Sequence, residues 1–283
     1  MRSSVYHGFA IQAEESIERL KQKLLQLFVP QQLWLLGLAT HQRRIESLFF
    51  LHSISKRSIG HYYLLALVQK RKEQSLNAIQ DKIENNLQHF VPVTAIVLDV
   101  DQFTQWLLEG HPFASAVYEK GYLIFQNEEK ELPSPALVKK EQLREEKEAA
   151  YIRTKLKIEG FLAAADLHRI RKEYKLSAFM LHQAAEQALR TMMFINTGLT
   201  INTHNIDKLI RYCSMFCYQL PEIFPGNNEN EKKLFSLLNK AYIDTRYKDC
   251  YSIAFEELAA LIEKVKMIKQ LFENYKSMTD ENL

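Results

Sequence analysis

The sequence contains no apolar run that is long enough to cross a lipid bilayer; its longest runs are LWLLGLA and TAIVLDV. Its first residues, MRSSVYHGFAIQAEES, lack the charged segment and apolar block of a secretory signal. It has only three cysteines, Cys213, Cys217 and Cys250, and no second pair of soft ligands accompanies the CxxxC spacing. We therefore expect buried free thiols rather than a metal site, in a protein of the reducing cytoplasm.

The sequence also lacks a strong charge of one sign. It has 37 Lys and Arg against 34 Asp and Glu, so its formal net charge is only +3. This balance does not support indiscriminate binding of nucleic acid, and we find no DNA-specific signal. HExxH, P-loop, GxGxxG and GxSxG motifs are absent from the sequence, as are internal repeats, so none of the function classes that depend on them is indicated.

The hydrophobic pattern divides the 283 residues into two parts with different periods. In the first part, an amphipathic helix is followed by short apolar segments typical of strands, with helical stretches between them. This alternation predicts a mixed α/β sheet domain over residues 1–126. The predicted helices are 12–28, 72–89 and 101–118, and the predicted strands are 33–39, 62–68, 93–100 and 122–125.

The second part has helical periodicity throughout. Residues 127–148 are charged and contain two prolines, which predicts a linker that turns into the start of a helix. The remainder, 149–283, predicts an all-α bundle of about five helices, with Thr203 as the N-cap of the third. The helices are expected near 150–172 and 174–196 and along apolar stripes at 206–220, 234–245 and 254–272.

The segment HYYLLALV, residues 61–68, carries a first resemblance. The N-terminal part resembles the minimal nucleotidyltransferases of the polymerase-β-like fold, whose pattern is a Gly-Ser turn, an Asp-x-Asp at the head of the next strand and a third carboxylate on the following strand. Gly37 matches the turn glycine, but Leu38 replaces the serine. His61 and Tyr63 replace the two aspartates, and Thr94 falls at the third carboxylate.

Such an enzyme needs two magnesium ions, which take hard oxygen ligands such as carboxylates. The resemblance therefore implies a nucleotidyltransferase-like domain that has lost catalysis, and magnesium is expected only if this domain is active. The alternative is that Asp99 and Asp101, two apart at the end of a strand, share a metal ion. Against this alternative, Asp101 also fits the N-cap of the following helix.

Three segments of the second part carry another resemblance. SAFMLHQAAEQALRTMMF (177–194), THNIDKLI (203–210) and AYIDTRYKD (241–249) resemble, in order and spacing, the landmarks of HEPN domains. These helical bundles are often found beside minimal nucleotidyltransferases. The resemblance implies a homodimer formed through the HEPN helices.

Many HEPN proteins are ribonucleases that use an arginine followed four to six residues later by a histidine. Arg246 is present, but Tyr251 occupies the nearest expected histidine position and no histidine follows His204. Because a tyrosine of ordinary pKa is a poor base at pH 7, cleavage of RNA by the usual route is not expected.

A polar group remains on the second HEPN helix: Gln183, Glu186 and Arg190 share one side of it. His204, Arg246 and Tyr247 are expected to join them in the fold. One interpretation is a pocket for a nucleotide or another anion, with the arginines on phosphates and Tyr247 stacked on a base. The other interpretation is structural, with a buried Glu186–Arg246 ion pair that fixes helix order.

The sequence therefore favours a non-catalytic binding or regulatory protein related to nucleotides or RNA, acting as a homodimer. The alternatives are an active nucleotidyltransferase that uses Asp99 and Asp101 and a toxin-like HEPN ribonuclease.

Overall fold

The computed structural model describes residues 7–47, 50–70, 75–127, 131–247 and 251–280. Within these ranges it does not describe the side chains of 7–13, 41–47, 50–59, 244–247 and 275–280. The chain divides into two compact units, Met1–Val138 and Lys139–Leu283. Among the described helices, none is both long enough and apolar enough to span a membrane.

The first unit is built on a four-stranded sheet with the order β3-β2-β1-β4. Strand β1 is antiparallel to β2 and β4, whereas β2 and β3 are parallel. The predicted mixed α/β sheet is therefore confirmed. The elements are α1 (His7–Leu27), β1 (Gln32–Ser47), β2 (Phe50–Val68), α2 (Leu76–Leu87), β3 (Val93–Asp99), α3 (Val100–Leu108), α4 (Pro112–Lys120) and β4 (Tyr122–Gln126).

Alternate strand residues point to opposite faces of the sheet, and the residues of both faces are buried. One face forms a hydrophobic core with α1 and α2, to which Leu20, Leu24, Leu64, Ile79 and Ile83 contribute. The intervening strand residues are buried as well: Trp34, Leu65, Leu67 and Ile96. This double burial explains why the strand segments are nearly continuous apolar runs in the sequence.

Two predicted elements of this unit differ in the structure. The stretch 101–118, predicted as one helix, is divided into α3 and α4 because Gly110 has a φ of +71° and Pro112 begins the next helix. The first two strands extend far beyond 33–39 and 62–68, to Ser47 and back from Phe50. Their outer parts pair with each other away from the other strands, and so lack the alternating apolar pattern of a strand packed on a core.

The second unit is entirely helical in its described residues. A long central helix, α6, contacts α5, α7, α9 and α10, and alanines at 178, 184, 185 and 188 allow this close packing. It ends at Gly198, which has a φ of +77°. The helices are α5 (Lys140–Ile170), α6 (Tyr174–Thr197), α7 (Ile206–Cys213), α8 (Leu220–Ile223), α9 (Glu229–Tyr247) and α10 (Phe255–Asp280).

Three details differ from the predictions for this unit. Helix α5 begins at Lys140, so much of the charged stretch 127–148 is already helical. The stripe 206–220 is not one helix, since α7 ends at Cys213 and a turn leads to α8. The N-cap of α7 is Asn205, whose side chain accepts from the Lys208 backbone N–H at 3.1 Å, so the assignment to Thr203 is wrong.

Candidate functional site

The centre of the candidate site is Glu186, a carboxylate on α6 that is only 2% exposed. Its Oε2 lies 3.0 Å from Nδ1 of His204, and its Oε1 accepts a hydrogen bond from Nη1 of Arg190 at 3.2 Å. An ionised carboxylate can only accept, so Nδ1 of His204 donates. The structure thus joins three of the predicted residues, Glu186, Arg190 and His204, into one cluster, and Gln183 Nε2 lies 3.5 Å from Glu186 Oε2.

The segment before α7 fixes His204 in this position. Asn205 caps the helix, and the Ile206 backbone N–H donates to Oδ1 of Asn239 on α9 at 2.7 Å. His204 also stacks on Tyr242, with ring centroids 4.0 Å apart and planes 11° apart. The imidazole is therefore held between the carboxylate at its edge and the phenol on its face.

This stacking determines what Nε2 of His204 can do. The Tyr242 hydroxyl lies 3.2 Å from Nε2, but in nearly parallel rings it lies over the imidazole face rather than in its plane. Among the side chains that the structure describes, none other than Tyr242 is within hydrogen-bond distance of Nε2, and the His204 side chain is 46% exposed.

His182, one helical turn before Glu186, is a further member of the cluster that sequence reasoning missed. Its Nδ1 donates to the Leu238 carbonyl at 2.9 Å, and its Nε2 lies 3.4 Å from Glu186 Oε2. Nε2 makes no hydrogen bond within the described residues, so this second approach is a close polar contact only. The i, i+4 spacing from Glu186 was the signal that could have identified it.

The charge of Glu186 follows from these contacts. Burial by itself raises the pKa of a carboxyl group, but the hydrogen bonds that Glu186 accepts from His204 and Arg190 outweigh burial and lower the pKa of Glu186 to about 2. Glu186 is therefore ionised at neutral pH. It holds one guanidinium and one imidazole, whose side chains are 28% and 46% exposed.

Two predicted members, Arg246 and Tyr247, lie at the end of α9, but their side chains are outside the described part of the structure. The proposed Glu186–Arg246 ion pair stays a prediction. The described partners of Glu186 are instead His204 and Arg190.

In β2 the structure also brings together residues that the nucleotidyltransferase resemblance selected, although His61 and Tyr63 lie inside this strand and not at its head as predicted. His61 Nε2 lies 2.8 Å from Oγ1 of Thr94, and the rings of His61 and Tyr63 are 4.8 Å apart. In the sheet, Tyr63 pairs with Gly37 on β1 and with Thr94 on β3. Leu38, the residue that replaces the serine of the resembling family, follows Gly37 on β1 and pairs with Tyr62.

Asp99 and Asp101 lie at the opposite end of β3, roughly 16 Å along the strand from Thr94. Asp99, not Asp101, is the N-cap of α3, and Asp101 accepts from Nε2 of Gln69 at 2.6 Å. The assignment of the cap to Asp101 was therefore wrong by two residues. Within the described ranges, no group of three or more His, Cys, Asp and Glu side chains is arranged to hold a metal ion.

Tyr251, which occupies the expected histidine position after Arg246, is buried, and its hydroxyl donates to the Leu237 carbonyl at 3.0 Å. Cys213 and Cys217 are free and buried, whereas Cys250 lies outside the described residues.

Comparison with known proteins agrees with the helical landmarks. The sequence model of the HEPN domain family matches residues 157–275. No curated protein matches the chain. The helical unit therefore contains a HEPN domain, which spans α6, α7, α8 and α9 together with the C-terminal part of α5 and most of α10.

Proposed function

We propose that this HEPN domain binds a phosphate-bearing ligand, a nucleotide or a segment of RNA, at the cluster around Glu186. The observation that carries the proposal is the buried Glu186 carboxylate, which orients Arg190 and His204 while leaving both partly exposed. Charge-assisted hydrogen bonds from a guanidinium suit phosphate oxygens. The HEPN match supports a nucleotide- or RNA-related role.

We propose further that the domain binds without cleaving. Ribonuclease chemistry of the usual HEPN kind needs a histidine near Arg246 that can exchange a proton with a ribose hydroxyl. Tyr251 stands at that position, and its hydroxyl is directed to a backbone carbonyl. A toxin-like ribonuclease would instead degrade RNA in a manner that Arg246→Ala abolishes.

For the first unit we propose a nucleotidyltransferase-like domain that has lost its metal site. The support is that His61, Tyr63 and Thr94, which the resemblance aligns with the family's carboxylates, contact one another: His61 Nε2 lies 2.8 Å from Oγ1 of Thr94 and the rings of His61 and Tyr63 are 4.8 Å apart. An active transferase would transfer label from a nucleoside triphosphate in the presence of magnesium, and Asp99→Ala or Asp101→Ala would abolish that transfer. We expect no transfer.

A homodimer is the fourth part of the proposal. Helix α5 buries Thr154, Ile158 and Ala165 against its own unit but also has an apolar stripe on another side. The large residues of the stripe expose between 50% and 70% of their surface, and two small residues lie between them. The stripe consists of Ile152, Leu156, Gly160, Ala163, Leu167 and Ile170.

The side chains of this stripe have the same order of sizes when α5 is followed in either direction: two large, two small and two large. A second copy packed antiparallel would bring Leu156 of one copy against Leu167 of the other, with Gly160 and Ala163 at the centre. Self-complementarity of this kind is what a two-fold interface requires. The frequent dimerisation of HEPN domains agrees with this placement.

Isothermal titration calorimetry with ATP, GTP and short single-stranded RNA tests the binding proposal. Losing one charge-assisted hydrogen bond costs about 1.5–3 kcal/mol, so Arg190→Gln should weaken binding by roughly 10-fold or more. Arg211→Gln is the matched control, since both side chains are 28% exposed and each pairs with an acid four residues away. Equal affinities of the two variants, or no binding by the unaltered chain, would refute the proposal.

A further inference from the structure

The outer parts of β1 and β2 form a two-stranded arm, Thr40–Ser47 and Phe50–Ile59, which we call the hairpin arm. Strand β4 pairs only with residues 32–35 of β1, and β3 pairs only with residues 62–68 of β2. Among the described strands, the hairpin arm therefore pairs only with itself. Its first strand of eight residues corresponds to about 24 Å.

The register of the hairpin arm collects basic residues that are separate in the sequence. Arg43 is directly opposite Lys56, Arg44 is opposite Ser55, and Arg57 is opposite Gln42. Three consecutive rungs thus contain four cationic residues and no acidic one. The only acidic residue in 40–59 is Glu46, in a chain whose formal net charge is just +3.

This arrangement is unfavourable for the free protein. Like charges directly opposite each other in an antiparallel pair destabilise it. Arg43 and Lys56 are such a pair, and Arg44 and Arg57 lie on the other face of the arm, on the two rungs that flank this pair. A bound polyanion would neutralise all four cationic residues and so remove the repulsion between them.

We propose that the hairpin arm binds the phosphodiester backbone of duplex DNA by entering its major groove. Two strands about 4.8 Å apart form a ribbon that the groove of B-form DNA, about 12 Å wide, admits. The deep, narrow major groove of duplex RNA does not admit it. Neither the Arg43–Arg44 pair nor the Lys56–Arg57 pair predicts DNA binding from the sequence alone, because the two pairs come together only through the pairing of β1 with β2.

The simpler explanation is that these charges only prevent edge-to-edge association of an unpaired ribbon. Under that explanation, removing them increases aggregation and leaves DNA binding unchanged. The site proposed here is separate from the Glu186 cluster, so Arg190→Gln should leave binding to duplex DNA unaltered. Removing the arm charges should conversely leave nucleotide binding unaltered.

The test is fluorescence anisotropy of the full chain with labelled duplex DNA, duplex RNA and single-stranded DNA at 50–200 mM salt. Four phosphate contacts give a log–log salt slope of about −3.6, so wild-type affinity for duplex DNA should fall by about 150-fold over this range. The variant Arg43→Gln/Arg44→Gln/Lys56→Gln/Arg57→Gln should lose most of the affinity and nearly all of the slope.

The matched control removes four cations that lie in local ion pairs on helices: Arg19→Gln, Arg169→Gln, Lys232→Gln and Lys266→Gln. Both variants lower the net charge by four units, but only the arm variant should lose binding. If the arm variant fails to fold, Arg43→Gln/Lys56→Gln, which removes a single repulsive rung, should still halve the slope. Equal losses in arm and control variants, no binding to duplex DNA, or tighter binding to duplex RNA would overturn the proposal.

Discussion

Nδ1 of His204 donates to Oε2 of Glu186 at 3.0 Å, and this contact joins the loop before α7 to the centre of α6. The two residues are 18 apart in the sequence and lie in a domain whose other buried positions are mainly apolar. A buried carboxylate is stable only when it is paired, and here the pairing also orients a half-exposed imidazole. We therefore expect the stability of this domain and the proposed binding to depend on the same contact.

The first prediction concerns acid stability. The pKa of Glu186 is lowered from 4.5 to about 2 in the folded protein, so its contribution to the free energy of unfolding is complete above pH 4.5 and is lost as the pH falls toward 2. A shift of this size corresponds to about 3 kcal/mol. Urea unfolding between pH 7 and pH 2 should show Glu186→Gln destabilised at neutral pH and nearly equal to wild type at the acid end.

Glu229→Gln is the control for this experiment because Glu229 is 90% exposed and pairs only with a surface lysine. It should change the free energy of unfolding by less than about 0.5 kcal/mol at any pH. A constant difference between wild type and Glu186→Gln over the whole pH range would contradict the assignment of the low pKa to this contact.

The second prediction concerns Tyr251. Tyr251→Phe removes the hydrogen bond from the Tyr251 hydroxyl to the Leu237 carbonyl, which should cost about 1 kcal/mol. Tyr218→Phe, at a tyrosine that is 74% exposed, should cost almost nothing. Thermal unfolding of the two variants checks this. Indistinguishable midpoints would mean that Tyr251 has no structural role and would reopen its assignment as a replaced catalytic position.

The local part of the fold was predictable from the sequence because it depends on periodicity. The apolar runs at 62–68 and 93–100 become neighbouring parallel strands, and SAFMLHQAAEQALRTMMF becomes the central helix α6. The position of Asn205 rather than Thr203 at the start of α7 was not predictable, since both side chains accept backbone hydrogen bonds there. Which of the two caps the helix depends on where its first turn begins.

The site was predictable only in part for a similar reason. Glu186 and Arg190 share one helix face, so their contact follows from spacing. Tyr242 was missed because it stacks on His204 only through the packing of α9 beside the loop before α7. The two residues are 38 apart in the sequence, and a contact between such distant residues leaves no periodic pattern. The hairpin arm was missed because strands that pair only with each other need no alternation of apolar and polar residues.

The third prediction compares two glycines. Gly110 has a φ of +71°, and a Cβ added there would lie 2.6 Å from the Leu137 carbonyl oxygen, so Gly110→Ala should destabilise the protein by about 2 kcal/mol or more. Gly160 lies inside helix α5 with nothing within 4 Å of an added Cβ. Gly160→Ala should therefore raise the stability of the single chain by about 0.5–1 kcal/mol, measured at protein concentrations below those at which it dimerises. Chemical denaturation of both variants measures the two effects, and a change of the same sign at both positions would contradict the backbone assignments.

The last prediction tests the apolar stripe on α5. Leu156→Glu places a charge on the proposed two-fold interface, opposite Leu167 of the second copy, and burying an unpaired charge there is strongly unfavourable. Sedimentation velocity should show wild type as a dimer and Leu156→Glu as a monomer, with far-UV circular dichroism unchanged because Leu156 is 65% exposed within its own unit. Met267→Glu, on α10 and 49% exposed, should remain dimeric. Dissociation by both variants would move the interface away from α5, and a monomeric wild type would exclude the dimer altogether.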